Sequence, residues 1–355
     1  MSTIAQNLQT IATAKANIAT SVNAKGGNIT SETPLSAYSA AIDALPSGGG
    51  GGEPDWSEIG YSGAPQYILD GHAHAKTIYD NWDATQTNLN QKFKNDTQLR
   101  YFPLVDTSSA TIFQSIFEGC SNLEYIPLID TSKATNMIGV FRDCSKLTTV
   151  SLIDTSNATN MSLMFYNCSS LTTIPQFNTS ACTDMINMFF NCSNLASVPQ
   201  FDTSKVQYMH HIFSNCSSLT TIPQLNTSAC TNMSYMINGC KKLEKIEGLD
   251  LISVTNISNL LGVSNNTTLR YALFKNLGTP SGMTSYDFSR ARNWGVADST
   301  YTDARQSLVD SLLTYSFDRA TAGYSTCTIK LYSTVKNELT AQEITDIEAK
   351  GYTIA

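Results

Sequence analysis

The chain has 355 residues, of which 41% are hydrophobic and 14% charged, and its formal net charge is −7. An acidic chain lacks the basic stripe that binds phosphate groups, so we expect no nucleic-acid partner. The sequence holds no run of about 18 apolar residues, and membrane insertion is therefore not expected. The N-terminus also lacks the continuous apolar core of a Sec signal peptide.

Residues 1–46 are predicted to form a helical anchor or oligomerisation segment. Apolar residues fall on a 4-3-4 grid typical of a coiled-coil seam, interrupted once by Lys15. The seam residues are Ile4, Leu8, Ile11, Ile18 and Val22. Gly26 and Gly27 end this helix, and a second short amphipathic stripe runs from Leu35 to Leu45. Helices this short are marginal alone, so we expect them to pack on copies of themselves or on another protein. The alternative is a hairpin folded back on the same chain.

Residues 47–54 contain the run SGGGGG and are predicted to be a flexible linker. The run carries no Gly-Lys-Ser sequence and does not indicate a phosphate-binding loop. Residues 55–81 are expected to form an N-terminal cap on the part of the chain that follows.

The chain then repeats itself every 24 residues, in six gapless units from Asp106 to Leu249. The third unit reads DTSNATNMSLMFYNCSSLTTIPQF. An irregular first unit begins at Trp82, and a decaying one begins at Asp250. A fixed period of this length is typical of a solenoid, in which each unit buries its apolar face against its neighbours. The predicted fold over residues 82–274 is therefore an α/β solenoid.

Each unit is predicted to contain a helical turn and a short strand. In the third unit Met161, Met164, Phe165 and Cys168 follow the 3-1-3 spacing of one helical face. Residues 171–175 (LTTIP) have the composition of a strand. Asp154, which opens the unit, suits either a helix N-cap or an Asx-turn.

Six of the nine cysteines recur once per unit, each 24 residues after the last. They are Cys120, Cys144, Cys168, Cys192, Cys216 and Cys240. In a solenoid they form a row at about the 4.8 Å spacing of strands, which is too wide and too parallel for disulfides. A row does not surround a metal ion either. We therefore expect a structural ladder of buried, reduced thiols, and we expect neither metal nor cofactor.

Residues 275–355 are predicted to be a C-terminal cap. Residues 303–313 suit a helix, 327–331 a strand, a helix capped by Thr340 follows, and 351–355 suit a last strand. Such diverged repeats would shield the final edge strand of the solenoid.

The units resemble the BspA-like leucine-rich repeats of bacterial surface proteins through their recurring Thr-Asn-Met, Met-Phe and Asn-Cys-Ser motifs. The resemblance implies a curved leucine-rich-repeat solenoid with a parallel β-sheet on one side, used in adhesion and not in catalysis. The N-terminal sequence NAKGGNITSETPLSAYSAAIDAL is similar to short leading modules of bacteriophage tail and fibre proteins. Phage proteins assemble in the host cytoplasm and leave by lysis, so such a protein needs no export signal.

The histidines, His72, His74, His210 and His211, form no metal-binding motif with a third ligand, and no Ser–His–Asp arrangement is indicated. We therefore predict that the chain is not an enzyme. A weakly charged face of hydroxyl and amide side chains remains as a candidate ligand face, or as ordinary soluble β surface. Its residues are Tyr125, Thr149, Thr173, Gln176, Gln200, Thr221 and Gln224.

These features together predict a structural virion appendage, a tail or head fibre, that attaches to a host surface protein or glycan. Its N-terminal helices would bind other virion proteins and form a homo-oligomer, with a trimer as the expected number. The alternatives are a bacterial surface adhesin exported by a non-Sec route and an intracellular scaffold.

Overall fold

The computed structural model describes residues 74–103, 105–127, 129–151, 153–261 and 268–276, and then 285–287, 294, 304–314, 316, 327–331 and 333–355. The predicted linker and the seam residues Ile4, Leu8, Ile11, Ile18 and Val22 lie outside the described residues. Within the described part of the chain, no helix is long and apolar enough to cross a membrane.

The repeat units stack as successive 24-residue coils. Parallel bridges join equivalent residues of neighbouring coils, and one series of them runs without a break from Asn88 to Asn256. Backbone amides beside this series donate to carbonyls of the next coil: Gly139 N to Ser162 O over 2.9 Å and Phe141 N to Met164 O over 2.9 Å. The predicted solenoid-like fold of parallel repeats is therefore confirmed over these residues.

The predicted helical turn is wrong. Met161, Met164, Phe165 and Cys168 lie in consecutive turns and not in a helix, although all four side chains are buried as expected. Two residues per coil adopt left-handed backbone angles, Leu163 and Asn167 in the third unit, both with φ of 60°. A left-handed residue interrupts a right-handed helix, and alternate N–H groups are thereby turned toward the next coil.

The predicted strand over residues 171–175 is also wrong in the third unit. Among the described residues of the stack, the sheet is formed by the later parallel strands β1 (Thr221–Ile222), β2 (Lys245–Asp250) and β3 (Tyr271–Lys275), in that order. Pro175, Pro199 and Pro223 occupy one position of the repeat, where a proline removes a ladder donor. Glu247 takes that position in β2, which is the six-residue strand.

The turn that opens each unit is an Asx-turn. The Asp154 carboxylate accepts the backbone N–H of Ser156 over 2.8 Å, and the equivalent bond recurs in the other units. The next residue, Thr155, is buried and its hydroxyl donates to Asn178 O of the following coil over 2.8 Å. Of the two sequence interpretations, the Asx-turn is the correct one.

The core of the stack is a column of phenylalanine rings. Neighbouring rings are nearly parallel, with centroids 5.4 to 5.9 Å apart. The rings are Phe93, Phe117, Phe141, Phe165, Phe189 and Phe213. Each of these six coils adds one ring, and the four inner rings are packed on both sides by equivalent rings. Ile237 and Leu261 take the position in the next two coils.

The four predicted C-terminal segments occur in the predicted order, and the strand Ser285–Asp287 and the helix Ser333–Lys336 were not predicted. Helix Ala304–Val309 continues into a π-helical turn, Asp310–Thr314, and short helices span Ser333–Lys336 and Ala341–Ala349. Strands β4 (Ser285–Asp287), β5 (Cys327–Lys330) and β6 (Tyr352–Ile354) form a second parallel sheet.

The edge of β3 is covered by side chains from this C-terminal part. Phe274 N donates to the Ser311 hydroxyl over 2.9 Å, and the buried Trp294 indole donates to Ala272 O over 2.9 Å. These bonds satisfy backbone groups that an uncovered edge strand would offer to another chain.

Candidate binding surfaces

The predicted ligand face consists of two rows of equivalent positions. Tyr125, Thr149, Thr173 and Thr221 occupy one position of the repeat, and Gln176, Gln200 and Gln224 occupy another. Tyr125 is 50% exposed, and the other six side chains are exposed or half-buried. The structure therefore places the predicted residues on the surface.

Polar side chains on and beside this face bond partly to the neighbouring coil. The Gln176 amide donates to Gln200 O over 2.7 Å, and the Thr172 hydroxyl donates to Thr148 O over 3.2 Å. Such bonds hold the side chains in fixed orientations while leaving acceptor lone pairs toward solvent. Gln176 and the neighbouring Thr172 are therefore held to adjacent coils by their side chains.

All nine cysteines lie among the described residues, buried, and none forms a disulfide. In the ladder, each thiol donates to the phenylalanine carbonyl of the preceding coil, as in Cys168 Sγ to Phe141 O over 3.0 Å. The same bond recurs from Cys120 to Cys240 with Sγ–O distances of 3.0 to 3.1 Å. Burial raises the pKa of the Cys120 and Cys240 thiols to about 12. Burial thus favours the protonated form of these thiols, which is a poor nucleophile. The hydrogen bonds of the ladder were not predicted from the sequence.

The described histidines make different kinds of contact. His74 Nε2 lies 2.6 Å from the Asp96 carboxylate and links the helix at 74–80 to the first coil. The His211 ring stacks on Tyr235 with centroids 4.7 Å apart, and burial lowers the pKa of both His210 and His211. His72 lies outside the described residues. The described histidines therefore take part in a carboxylate contact, for His74, and in ring packing, for His211.

A second surface was not anticipated from the sequence. One position of the repeat carries charged side chains in the early coils and rings in the next two. Lys94 Nζ lies 3.2 Å from the Glu118 carboxylate, the Arg142 guanidinium lies 5.3 Å from the Tyr166 ring centroid, and Tyr166 stacks on Phe190 at 4.8 Å. Beside this row the recurring Asn-Cys-Ser motif lines a shallow groove. The sequence shows the motif, but it does not show which residues of the motif face outward.

The stacked coils and their repeated surface rows define the class of this molecule as a solenoid-like repeat protein. The model of a family described as "Mycoplasma protein of unknown function, DUF285" matches residues 87–196 and 170–272. These matches together cover more than half of the 355-residue chain, and the chain belongs to that family.

Three solved structures are similar to the chain at low identity. A T. pallidum leucine-rich repeat protein has a TM-score of 0.34 and 21% identity, over 41% of this chain and 67% of that one. A leucine-rich repeat protein from Eubacterium ventriosum has values of 0.24 and 16%, over 50% and 57% of the two chains. An internalin from Listeria monocytogenes has 0.24 and 10%, over 75% and 72%. No curated protein matches the chain. The fold assignment above rests on the bonds between coils.

Proposed function

We propose that this chain is a non-enzymatic attachment protein whose repeat stack displays a preformed polar surface to a molecule on a cell surface. The observation that carries the proposal is the register of the coils. Hydrogen bonds between coils hold equivalent side chains in rows along the stack. A surface that is ordered before binding loses little conformational entropy when a ligand arrives.

The chemistry of the described side chains supports a role without catalysis. Thiols need to ionise before they act as nucleophiles, and burial raises the pKa of the Cys182 thiol to about 11 and that of Cys120 to about 12. The hydroxyl rows are occupied in bonds to backbone carbonyls, as Thr155 and Thr179 illustrate. Groups of this kind hold a surface in shape.

The proposed carrier is a virion appendage, a tail or head fibre. Its support is the N-terminal sequence with its Gly-rich linker, which resembles leading modules of phage fibre proteins. In this proposal residues 1–46 bind other virion proteins or form a homo-oligomer, with a trimer expected, and the stack faces a protein or glycan of the host. Assembly would take place in the host cytoplasm.

A bacterial surface adhesin exported by a non-Sec route is the second candidate. The observation that favours it is the family description, which names a bacterial protein and not a viral one. Both candidates give the stack the same task and differ in what carries it.

An experiment on the producing culture separates the two carriers. An antibody raised against the full chain is used to probe purified virus particles and the envelope fraction of uninfected cells. Co-sedimentation with capsid proteins supports the appendage, whereas signal in the uninfected envelope supports the adhesin. Detection only in soluble cytoplasm contradicts both.

The attachment role has its own test. Fluorescently labelled full-length protein is titrated onto intact host cells, and saturable binding that unlabelled protein displaces is expected. Binding that does not saturate, or that is equal on unrelated cells, argues against specific attachment.

A further inference from the structure

A shallow groove of about 600 Å³ crosses three successive coils on a surface that the proposed function has not used. It is lined by Asp143, Ser145, Asn167, Ser169, Asn191 and Ser193. All six side chains are half-buried. The same two positions of the repeat therefore supply every lining residue.

The acid and amide positions form one continuous ladder. The Asn167 amide donates to the Asp143 carboxylate over 2.7 Å, and the Asn191 amide donates to the Asn167 carbonyl oxygen over 2.8 Å. One N–H of each amide is used in this ladder. Since an Asn side chain has two donors and two acceptor sites, Asn167 and Asn191 each keep capacity for both kinds of bond.

The serines form a parallel ladder with a uniform direction. Ser145 donates to Ser121 O over 3.2 Å, and Ser193 donates to Ser169 O over 3.3 Å. Because each hydroxyl hydrogen points back to the preceding coil, the oxygen lone pairs remain as acceptors for a ligand. The groove thus offers acceptors on one side, and donors with acceptors on the other.

Glycine replaces the ladder side chain one coil before the groove and two coils after it. A Cβ on Gly119 would lie 2.1 Å from the Asn95 amide oxygen, and one on Gly239 would lie 2.3 Å from that of Asn215. In these coils the preceding Asn side chain occupies the space over the glycine. The ladder is therefore limited to the middle of the stack.

The neighbouring ring row restricts the kind of contact a ligand can make. The faces of Tyr166 are occupied by Phe190 at 4.8 Å and by Arg142 at 5.3 Å, both measured to the ring centroid. A sugar ring cannot stack on a face that is already covered, so recognition in the groove depends on hydrogen bonds.

The charge of the groove is low along its length. Its single carboxylate, Asp143, sits at one end and lies 3.3 Å from the Arg142 guanidinium Nε. The amides and hydroxyls of the other five positions are neutral at ordinary pH. A polyanion would gain little there and would meet Asp143.

We propose that this groove binds a linear, uncharged polysaccharide laid along the axis of the stack. This inference rests on the proposed attachment function, and it specifies the class of ligand and the surface that binds it. The hydroxyl groups of a polysaccharide can donate to the serine oxygens, and they can both donate to and accept from the asparagine amides. Its repeating units meet the same side chains in each coil.

A consequence is that affinity depends on the length of the sugar chain. A disaccharide engages one or two rungs, whereas a hexasaccharide reaches all three. Contacts added within one molecule raise affinity without a new association cost. We expect the dissociation constant to fall by about tenfold or more between disaccharide and hexasaccharide.

The test uses the full-length protein and isothermal titration with cello-, malto- and chitin-oligosaccharides from disaccharide to hexasaccharide, with a heparin hexasaccharide as the charged comparison. At least one neutral series is expected to bind with the length dependence described. The inference is overturned if no neutral series binds, or if heparin binds more tightly than every neutral series.

A pair of glycine substitutions locates the site. Asn167→Gly with Asn191→Gly removes two rungs, and glycine suits these positions because both have φ of 60°. Binding should weaken by about tenfold. The matched control is Asn215→Gly, which has φ of 62° but does not line the groove, and it should bind as the unmodified chain does.

Hydrogen exchange of the unmodified chain, with and without the hexasaccharide, gives a readout free of substitution. Protection is expected at residues 143–145, 167–169 and 191–193. Protection confined to another surface overturns the inference. If saturable cell attachment survives the double substitution, the groove is not the attachment site, while the attachment function still holds. If neither the unmodified chain nor any variant attaches to cells, the proposed attachment function is wrong.

Discussion

At the scale of single residues, the cysteine ladder is a hydrogen-bonding device as well as apolar packing. The backbone carbonyl of Phe141 accepts the N–H of Cys144 from its own coil and the thiol of Cys168 from the next. A small apolar residue would fill the space of Cys168 but leave one of these bonds unmade.

Cys168→Ala should therefore lower the free energy of unfolding by about 1–3 kcal/mol, through the lost thiol bond and the small cavity. Chemical denaturation measures the change. Cys182→Ala is the comparison, since the equivalent position holds Ala110, Ala134 and Ala158 in other coils. The Cys182 thiol donates to Asp184 O of its own coil over a longer distance, 3.3 Å, so its removal should cost less, about 0.5–1 kcal/mol. Equal losses for the two variants would show that the bond between coils contributes no more than a bond within one coil.

Burial also predicts how the thiols react. The pKa of Cys120 is raised to about 12 by burial, and those of Cys144, Cys192 and Cys216 are raised well above the ordinary value. A protonated thiol is a poor nucleophile. In native protein at pH 8 we expect Ellman's reagent to react with almost none of the nine cysteines, and with all of them in denaturant. Rapid labelling of the native chain would contradict the buried ladder.

The same shifts make stability depend on pH. An unfolded thiol has a pKa of about 8.5 and is about half ionised at that pH, while the folded thiols stay protonated. The unfolded state then binds fewer protons than the folded state, so the free energy of unfolding falls as pH rises through this range. Denaturation midpoints should be level up to about pH 7 and decline progressively above about pH 8. A midpoint that rises across this interval would refute the assignment.

At the scale of elements, the helix Ala341–Ala349 is defined by its first turn. The Thr340 hydroxyl accepts the N–H of Glu343 over 3.1 Å, and the Glu343 carboxylate accepts the N–H of Thr340 over 2.8 Å. This capping box was predicted in part, since Thr340 was expected as the cap.

Thr340→Ala should destabilise this helix by about 1 kcal/mol, because an N–H group loses its acceptor. Faster hydrogen exchange of residues 341–349 measures the effect. Thr345→Ala serves as the control, since the exposed Thr345 hydroxyl only bonds back to Ala341 O. Unchanged exchange in Thr340→Ala would show that packing alone holds the helix.

The period, the buried positions and the C-terminal elements could be predicted because they follow apolar spacing and capping residues. The helical turn and the strand could not. One left-handed position holds Gly119, Asp143 and Asn167, residues that tolerate such angles, but the other holds residues as different as Leu163 and Tyr235. The conformation there is imposed by bonds to the next coil, and no local pattern reports it. The groove was missed for the same reason.

At the scale of the whole molecule, the C-terminal part protects the end of the stack. Ser311 is the central residue, because its hydroxyl accepts the Phe274 N–H and lies 3.4 Å from Ala272 O on the edge strand β3. Its removal leaves a buried N–H group on that strand without its acceptor.

Ser311→Ala should lower stability by about 1–3 kcal/mol, because the buried Phe274 N–H loses its acceptor. Easier opening of the C-terminal part would then expose the β3 edge and promote association. Light scattering during a thermal ramp measures both effects, as an earlier onset of unfolding and of aggregation. Ser307→Ala is the comparison, since the buried Ser307 hydroxyl donates only to Ala304 O of its own helix. If the two variants unfold and aggregate at the same temperatures, the Ser311 bond to the edge strand has no special role in stability or association.

Because the rings of the phenylalanine column are evenly spaced, each repeat adds a fixed length to the stack. Neighbouring coils along this column meet through equivalent backbone bonds, so an unequal crossover between two of these repeats would add or remove 24 residues without changing either end. Each such event moves the far end by about one ring spacing, 5.4 to 5.9 Å. Copy number alone can therefore tune how far the molecule reaches and how many rungs it presents, in steps that leave the fold intact.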